Sequence, residues 1–207
     1  MNQQFMNSRV QGEESEMVTM IKTLNMTNGV DVDRMTDTVE AIVKQPALAA
    51  FTFRAANKWI DGGHNRTTVK GFYGAGQEDT SRVQAFVMDN DEPSVLLGTD
   101  KGANPVEVVL HALAGCLTTS LVYHAAAQGV EIDEVESQFE GDLDLQGFLG
   151  LSENVRNGYE KIRVTLRVKG NAPDEKIREL IETAKSRSAV FDIVSNPVPI
   201  EVEAQVG

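Results

Sequence analysis

The sequence predicts an α+β fold, and three observations carry that prediction. NPVEVVLHALAGCLTTS (104–120) opens a long helix whose start and stop signals agree, and KIRVTLRVK (161–169) alternates apolar and polar residues without a break. Turn-rich stretches divide residues 51–89 into short strand-like runs. Read in order, the elements run βββ-α-ββ-α-β, the order of long helices covering antiparallel sheet.

Each element has its own warrant. Residues 1–25 are polar and weakly patterned, which predicts a loose or peripheral arm. In VDVDRMTDTVEAIVKQPA (31–48), Met35, Val39, Ile42 and Val43 recur at helical spacing, with Asp31 or Asp33 to cap the start and Pro46 to stop it. FTFRAANKW (51–59), TTVKGFY (67–73) and RVQAFVMD (82–89) are rich in β-branched and aromatic residues and read as strands. IDGGHNR and GAGQEDTS separate them as turns. In the long helix, Asn104 is the N-cap, Pro105 suits the first helical position and Glu107 stands where a capping-box carboxylate reaches back. Val106, Val109, Leu110, Leu113, Leu117 and Leu121 form its broad apolar face, and Gly129 closes it. EVESQFEGDLDL (134–145) reads as extended, and Ile162, Val164, Leu166 and Val168 mark one face of a half-buried strand. PDEKIRELIETAKSR (173–187) places Ile177, Leu180, Ile181 and Ala184 on one helical face. A short turn of helix follows at SAVFDIV (188–194), and after Pro197 the segment VPIEVEAQV (198–206) reads as a last strand.

Composition narrows the function classes. The 207 residues suit one substantial domain with an appendage. A net charge of −12 argues against nucleic acid or an anionic membrane as partner, since both need a basic surface. No apolar run approaches the ~18 residues of a membrane span. The opening MNQQFMNSRVQGEESEM lacks the basic-then-apolar order of a signal peptide. The single cysteine cannot form an internal disulfide, so the expected compartment is the reducing cytoplasm.

That cysteine, Cys116, is the residue most open to chemistry. A free Cys on a helix is commonly a small hydrophobe. It lies too far from Asn104 for the helix dipole to lower its pKa, and its same-face neighbours Ala112, Leu113, Thr119 and Ser120 carry no charge. A reactive thiolate therefore needs a cation from another element. The other constellations are weaker. Glu107 and His111, four apart, make one metal edge without an HExxH or CxxC context. The acidic clusters at 13–16 and 89–92 read as solvated, GAGQ (74–77) matches no phosphate loop, and Ser120 and Ser188 have no G-x-S-x-G setting. No metal and no cofactor are expected.

Around Cys116 the sequence resembles the OsmC/Ohr family of hydroperoxide-reducing proteins. The likeness runs through GANPVEVVLHALAGCLTTSLVYHAAAQG, EGDLDLQGFLG, VRNGYEKIRVTLRV and KSRSAVFDI, over roughly residues 50–205. It implies residues 1–50 as an N-terminal arm with a helix and residues 51–207 as the OsmC-like domain. It further implies an intertwined homodimer, with antiparallel sheets wrapped around paired central helices and sites at the dimer interface. By this resemblance Cys116 attacks the peroxide oxygen, Arg66 (with Arg54 as a second candidate) supplies the missing charge, and Glu107 assists from the helix start. Two departures stand out. Serine, as Ser188-Ala189-Val190, replaces the family's second cysteine, and Val106 occupies the usual glutamate position with Glu107 one residue later, a rotation of about 100°. The implied activity is reduction of an organic hydroperoxide by one cysteine and an external thiol reductant. The alternative is a non-catalytic OsmC-fold protein that holds a small hydrophobic ligand in the interface cleft.

Overall fold

The computed structural model describes residues 24–207. The arm expected over residues 1–25 lies outside the described residues apart from its last two, and so does the acidic cluster at 13–16. A short hairpin, β1 (Met26–Thr27) and β2 (Val30–Asp31), leads into α1 (Val32–Lys44), which Asp31 caps by accepting the Arg34 N–H at 3.0 Å. A 3₁₀ turn at Pro46–Ala49 completes the helical stretch expected to Pro46.

The strand-rich region folds into two three-stranded antiparallel sheets. One has the order β3-β6-β7, from β3 (Thr52–Phe53), β6 (Phe72–Gly74) and β7 (Gln77–Asp79). The other has the order β4-β5-β8, from β4 (Ala56–Asp61), β5 (His64–Val69) and β8 (Phe86–Asn90). The expected strand 51–59 is thus split between two sheets. The expected turn IDGGHNR shrinks to Gly62–Gly63, where Gly62 takes a positive φ of 52° that suits glycine. His64, Asn65 and Arg66 consequently belong to a strand and not to a loop, because the β-branched run TTV carries its pairing back to the turn.

The longest helix, α2 (Pro105–Ala127), has the predicted start: Asn104 accepts the Val106 N–H at 2.9 Å, and Glu107 accepts the Asn104 N–H at 2.9 Å. Beyond it, β9 (Ile132–Asp142) and β10 (Lys161–Gly170) pair antiparallel, linked by an excursion that contains the one-turn α3 (Leu145–Phe148). Then follow α4 (Asp174–Arg187) and α5 (Ala189–Ser195). On the β9–β10 ladder Arg163 stands opposite Glu140, Arg167 opposite Glu136 and Lys169 opposite Glu134, so the outward face is a row of ion pairs. The other face packs inward. Leu121, Ala125 and Val130 meet Ile177, Leu180 and Ala184 of α4, with Ile132, Val135 and Val168 of the two strands against them.

One expectation is corrected. The segment 198–206 is not a strand: it has no pairing partner among the described residues, and Ile200 and Val202 stand 83% and 88% exposed. A strand needs a neighbouring edge to satisfy its backbone, and alternation alone does not supply one. Among the described residues α2 is long and apolar enough to cross a membrane by length and composition; its Leu113, Leu117 and Leu121 stripe is buried within the chain, while most of its apolar window is not.

Candidate active site

Cys116 sits at the midpoint of α2, partly exposed. The buried stripe of the helix runs through Leu113, Leu117, Leu121 and Ala125. The opposite stripe, Val109, Ala112, Gly115, Thr119 and Tyr123, is exposed and uncharged, and Cys116 borders it. The thiol therefore belongs to a helix surface that one chain leaves uncovered.

Arg66 lies elsewhere. Its guanidinium forks onto Asp89, with Nε donating to Oδ1 at 2.8 Å and Nη2 to Oδ2 at 3.0 Å. His64 Nε2 approaches the same Oδ1 at 3.2 Å. Hydrogen bonding from Arg66 holds the Asp89 carboxyl below the usual carboxylate range. Arg54, the second candidate, is forked onto Glu78 at 2.8 and 2.9 Å. Neither arginine has a hydrogen bond or ion pair to the Cys116 element among the described residues.

The β4-β5-β8 sheet meets α2 at the helix's first turn. Asn90 bridges Ala103 and donates its side-chain N–H to the Ala103 carbonyl at 2.9 Å, while the Asn104 side-chain amide donates to the Glu92 carboxylate. Gly102 is required there, because a Cβ would stand 2.0 Å from the Asp89 carbonyl oxygen. Cys116 lies eleven residues past Pro105, about 17 Å further along the axis. Within one chain, then, the candidate cation and the thiol occupy different levels of the same helix.

Glu107 is engaged as the capping-box carboxylate, and burial, followed by the Glu107 charge, raises the pKa of Tyr159. Tyr159 donates its hydroxyl to the Val106 carbonyl at 2.9 Å, tying the excursion between β9 and β10 to the helix start. Tyr159 was not singled out from sequence, and the expectation of a solvated cluster at 89–92 is corrected: Asp89 is paired with Arg66, and Asp91 is 1% exposed with its oxygens taken up by the Glu92, Thr99 and Lys101 amides. Ser188 is 2% exposed and caps α5, accepting the Phe191 N–H at 3.1 Å. A buried capping hydroxyl thus stands at the position matched to a second cysteine, and α5 itself packs on α2. Among the described residues no group of three or more His, Cys, Asp or Glu side chains is placed to hold a metal, so the Glu107–His111 edge gains no third ligand.

The family model for OsmC-like proteins matches residues 98–203, just over half of the chain. The chain belongs to the OsmC-like family. Among solved structures, an OsmC-like protein from Mycoplasma pneumoniae is 14% identical with a TM-score of 0.55, over 70% of this chain and 89% of that one. The OsmC-like fold, with antiparallel sheets and long helices, is therefore common to both. An organic hydroperoxide resistance protein OsmC from Legionella pneumophila is 18% identical with a TM-score of 0.48, over 70% of this chain and 90% of that one. No curated protein matches the sequence.

Proposed function

We propose that this OsmC-like protein is a single-cysteine thiol peroxidase of the cytoplasm, acting as a homodimer. One observation carries the reading: the chain's only cysteine is partly exposed at the midpoint of α2, bordering its uncovered, uncharged stripe. A second copy packed on that stripe covers its apolar residues and encloses the thiol in a cleft suited to an organic substrate. Arg66 of the second copy, carried on a separate element, then supplies the charge that the thiol's own helix lacks.

In the reaction, the Cys116 thiolate attacks the terminal oxygen of an organic hydroperoxide. The S–O bond forms, the O–O bond breaks, and the alkoxide leaves and takes up a proton as the alcohol. Sulfur is oxidised by two electrons to the sulfenic acid. One external thiol condenses with it to a mixed disulfide and water, and a second thiol releases Cys116 reduced. Ser188 cannot take the resolving role, which is why the reductant must come from outside the chain.

The test is intact-mass analysis of reduced protein after one equivalent of cumene hydroperoxide with dimedone present. The wild type gains one dimedone adduct within seconds, and Cys116→Ser gains none. A second reading, a non-catalytic protein with a small hydrophobic ligand in the same cleft, is favoured by the commitment of Glu107 to its cap and of Arg66 to Asp89. An unmodified wild-type mass after minutes, with thermal stabilisation by apolar ligands, selects that second reading.

A further inference from the structure

We infer that Asp89 is a positioning residue for Arg66: it holds the guanidinium by one edge and leaves the other edge free to meet the reacting sulfur and oxygen. This rests on the reading in which Arg66 of a second copy charges Cys116, and it names the carboxylate that aims that charge. Glu107, the carboxylate expected to assist, is taken up by the Asn104 N–H in the helix cap.

The register of the β4-β5-β8 sheet sets Arg66 between two unlike neighbours. Lys58 of β4 stands opposite it on one side and Asp89 of β8 on the other, and cross-strand partners share a face. Like charges repel across one strand pair and unlike charges attract across the other, so both forces turn the guanidinium toward β8. The resulting fork uses Nε–H and one N–H of Nη2, at 2.8 and 3.0 Å. A guanidinium carries five N–H groups, so three remain, two of them on Nη1. Among the described residues the Arg66 side chain makes no hydrogen bond besides the fork. The bound edge fixes the plane of the head, and the free edge presents its donors in that plane, where they can meet a thiolate or the oxygen of a departing alkoxide.

Asp89 is itself held from several directions. His64, two residues before Arg66 on the same face of β5, brings Nε2 to 3.2 Å from the oxygen that accepts the Arg66 Nε–H. In the tautomer that carries hydrogen on Nε2, it donates a third bond to the carboxylate. The Asp89 backbone carbonyl lies over Gly102, where a Cβ would come within 2.0 Å, and the next residue, Asn90, donates to the Ala103 carbonyl at 2.9 Å. Carboxylate, guanidinium and the start of α2 therefore share one frame. The ion pairs on the β9–β10 ladder are looser. Glu136 and Glu140 are 55% and 71% exposed, against 29% for Asp89, and each takes a single bond from its arginine.

Dimedone trapping read by intact mass gives the rate of sulfenic acid formation at Cys116 with cumene hydroperoxide in the full chain. If Asp89 only adds its charge, deleting it strengthens the positive field around Arg66 and quickens the step. A positioning role predicts the reverse. Asp89→Asn is expected to slow the step roughly 10- to 100-fold, and Asp89→Glu to recover most of the loss. The urea midpoint is expected to stay close to that of the wild type, since an exposed cross-strand pair adds little to stability. Arg66→Lys, which cannot make the fork, is expected to be about as slow as Asp89→Asn. The double variant should be slower than either single one by no more than about twofold, because the two residues act as one unit. A wild type that reacts within seconds while Asp89→Asn is equally fast or faster, or losses that multiply in the double variant, overturns the positioning role and leaves the peroxidase reading standing. A wild type that gains no adduct removes the peroxidase reading and this role with it.

Discussion

The two halves of the described chain are built on different terms. Every buried apolar side chain lies between Leu113 and Ala184, where α2, α4 and the β9–β10 ladder close on one another. From residue 24 to residue 104 the only buried side chain is a carboxylate, Asp91, at 1% exposure. It accepts hydrogen bonds from the Glu92, Thr99 and Lys101 amides and from the Thr99 hydroxyl. That half has complete hydrogen-bonded sheets with aromatic residues such as Phe53 and Phe86 outside. Hydrogen bonds satisfy the backbone there, yet the hydrophobic burial that normally offsets chain entropy is missing. The C-terminal half makes a hydrophobic core within one chain, and the N-terminal half does not.

Four measurements break or sharpen this contrast, from the largest effect to the smallest. Leu180→Ala, at the fully buried centre, should cost about 2–5 kcal/mol in urea denaturation; a loss under 1 kcal/mol would mean that the C-terminal core is not self-sufficient. Ser188→Ala should cost about 1 kcal/mol through the lost cap of α5, with Ser188→Thr recovering most of it. Phe53→Ala should change the stability of a monomeric chain by no more than about 0.5 kcal/mol. A larger loss that grows with protein concentration would show the second copy covering that face.

The last effect is local and depends on pH. Asp91 is held down to about 2 from 3.8, chiefly by the Thr99 hydroxyl and then by the three amides, against the opposing effect of its burial. A carboxyl with a depressed folded pKa contributes its full stabilisation above its unfolded value, and that contribution is lost as pH falls through the folded value. The Thr99 and Lys101 amides should thus keep their protection from hydrogen exchange at pH 4 and lose it as the pH approaches 2. Asp91→Asn should lose it at neutral pH, since an amide nitrogen cannot replace the second acceptor oxygen.

The helices were legible because their signals are local: Asn104 with Pro105 and Glu107 writes the start of α2, and the periodicity of Ile177, Leu180, Ile181 and Ala184 writes α4. Strand partners were less legible because pairing is decided between distant segments. Thus Arg66 moved from an expected turn into β5, and 198–206 found no neighbour among the described residues. Cys116 could be picked out because it is the only thiol, whereas the fork of Arg66 on Asp89 depends on which strands lie side by side. The excursion tied down by Tyr159 was invisible for the same reason: its anchor is a backbone carbonyl 53 residues away.

The junction at Asn104 has a mechanical consequence. The same side chain accepts the Val106 N–H, which starts the helix, and donates to Glu92, which belongs to the sheet side of the link. With Gly102 pressed beneath the Asp89 carbonyl, the connection has no slack. The β4-β5-β8 sheet cannot swing relative to α2 without stripping the helix of its cap. Force applied to the sheet is therefore transmitted to the helix as by a rigid lever, and lengthening the chain between Asp89 and Asn104 should uncouple the two.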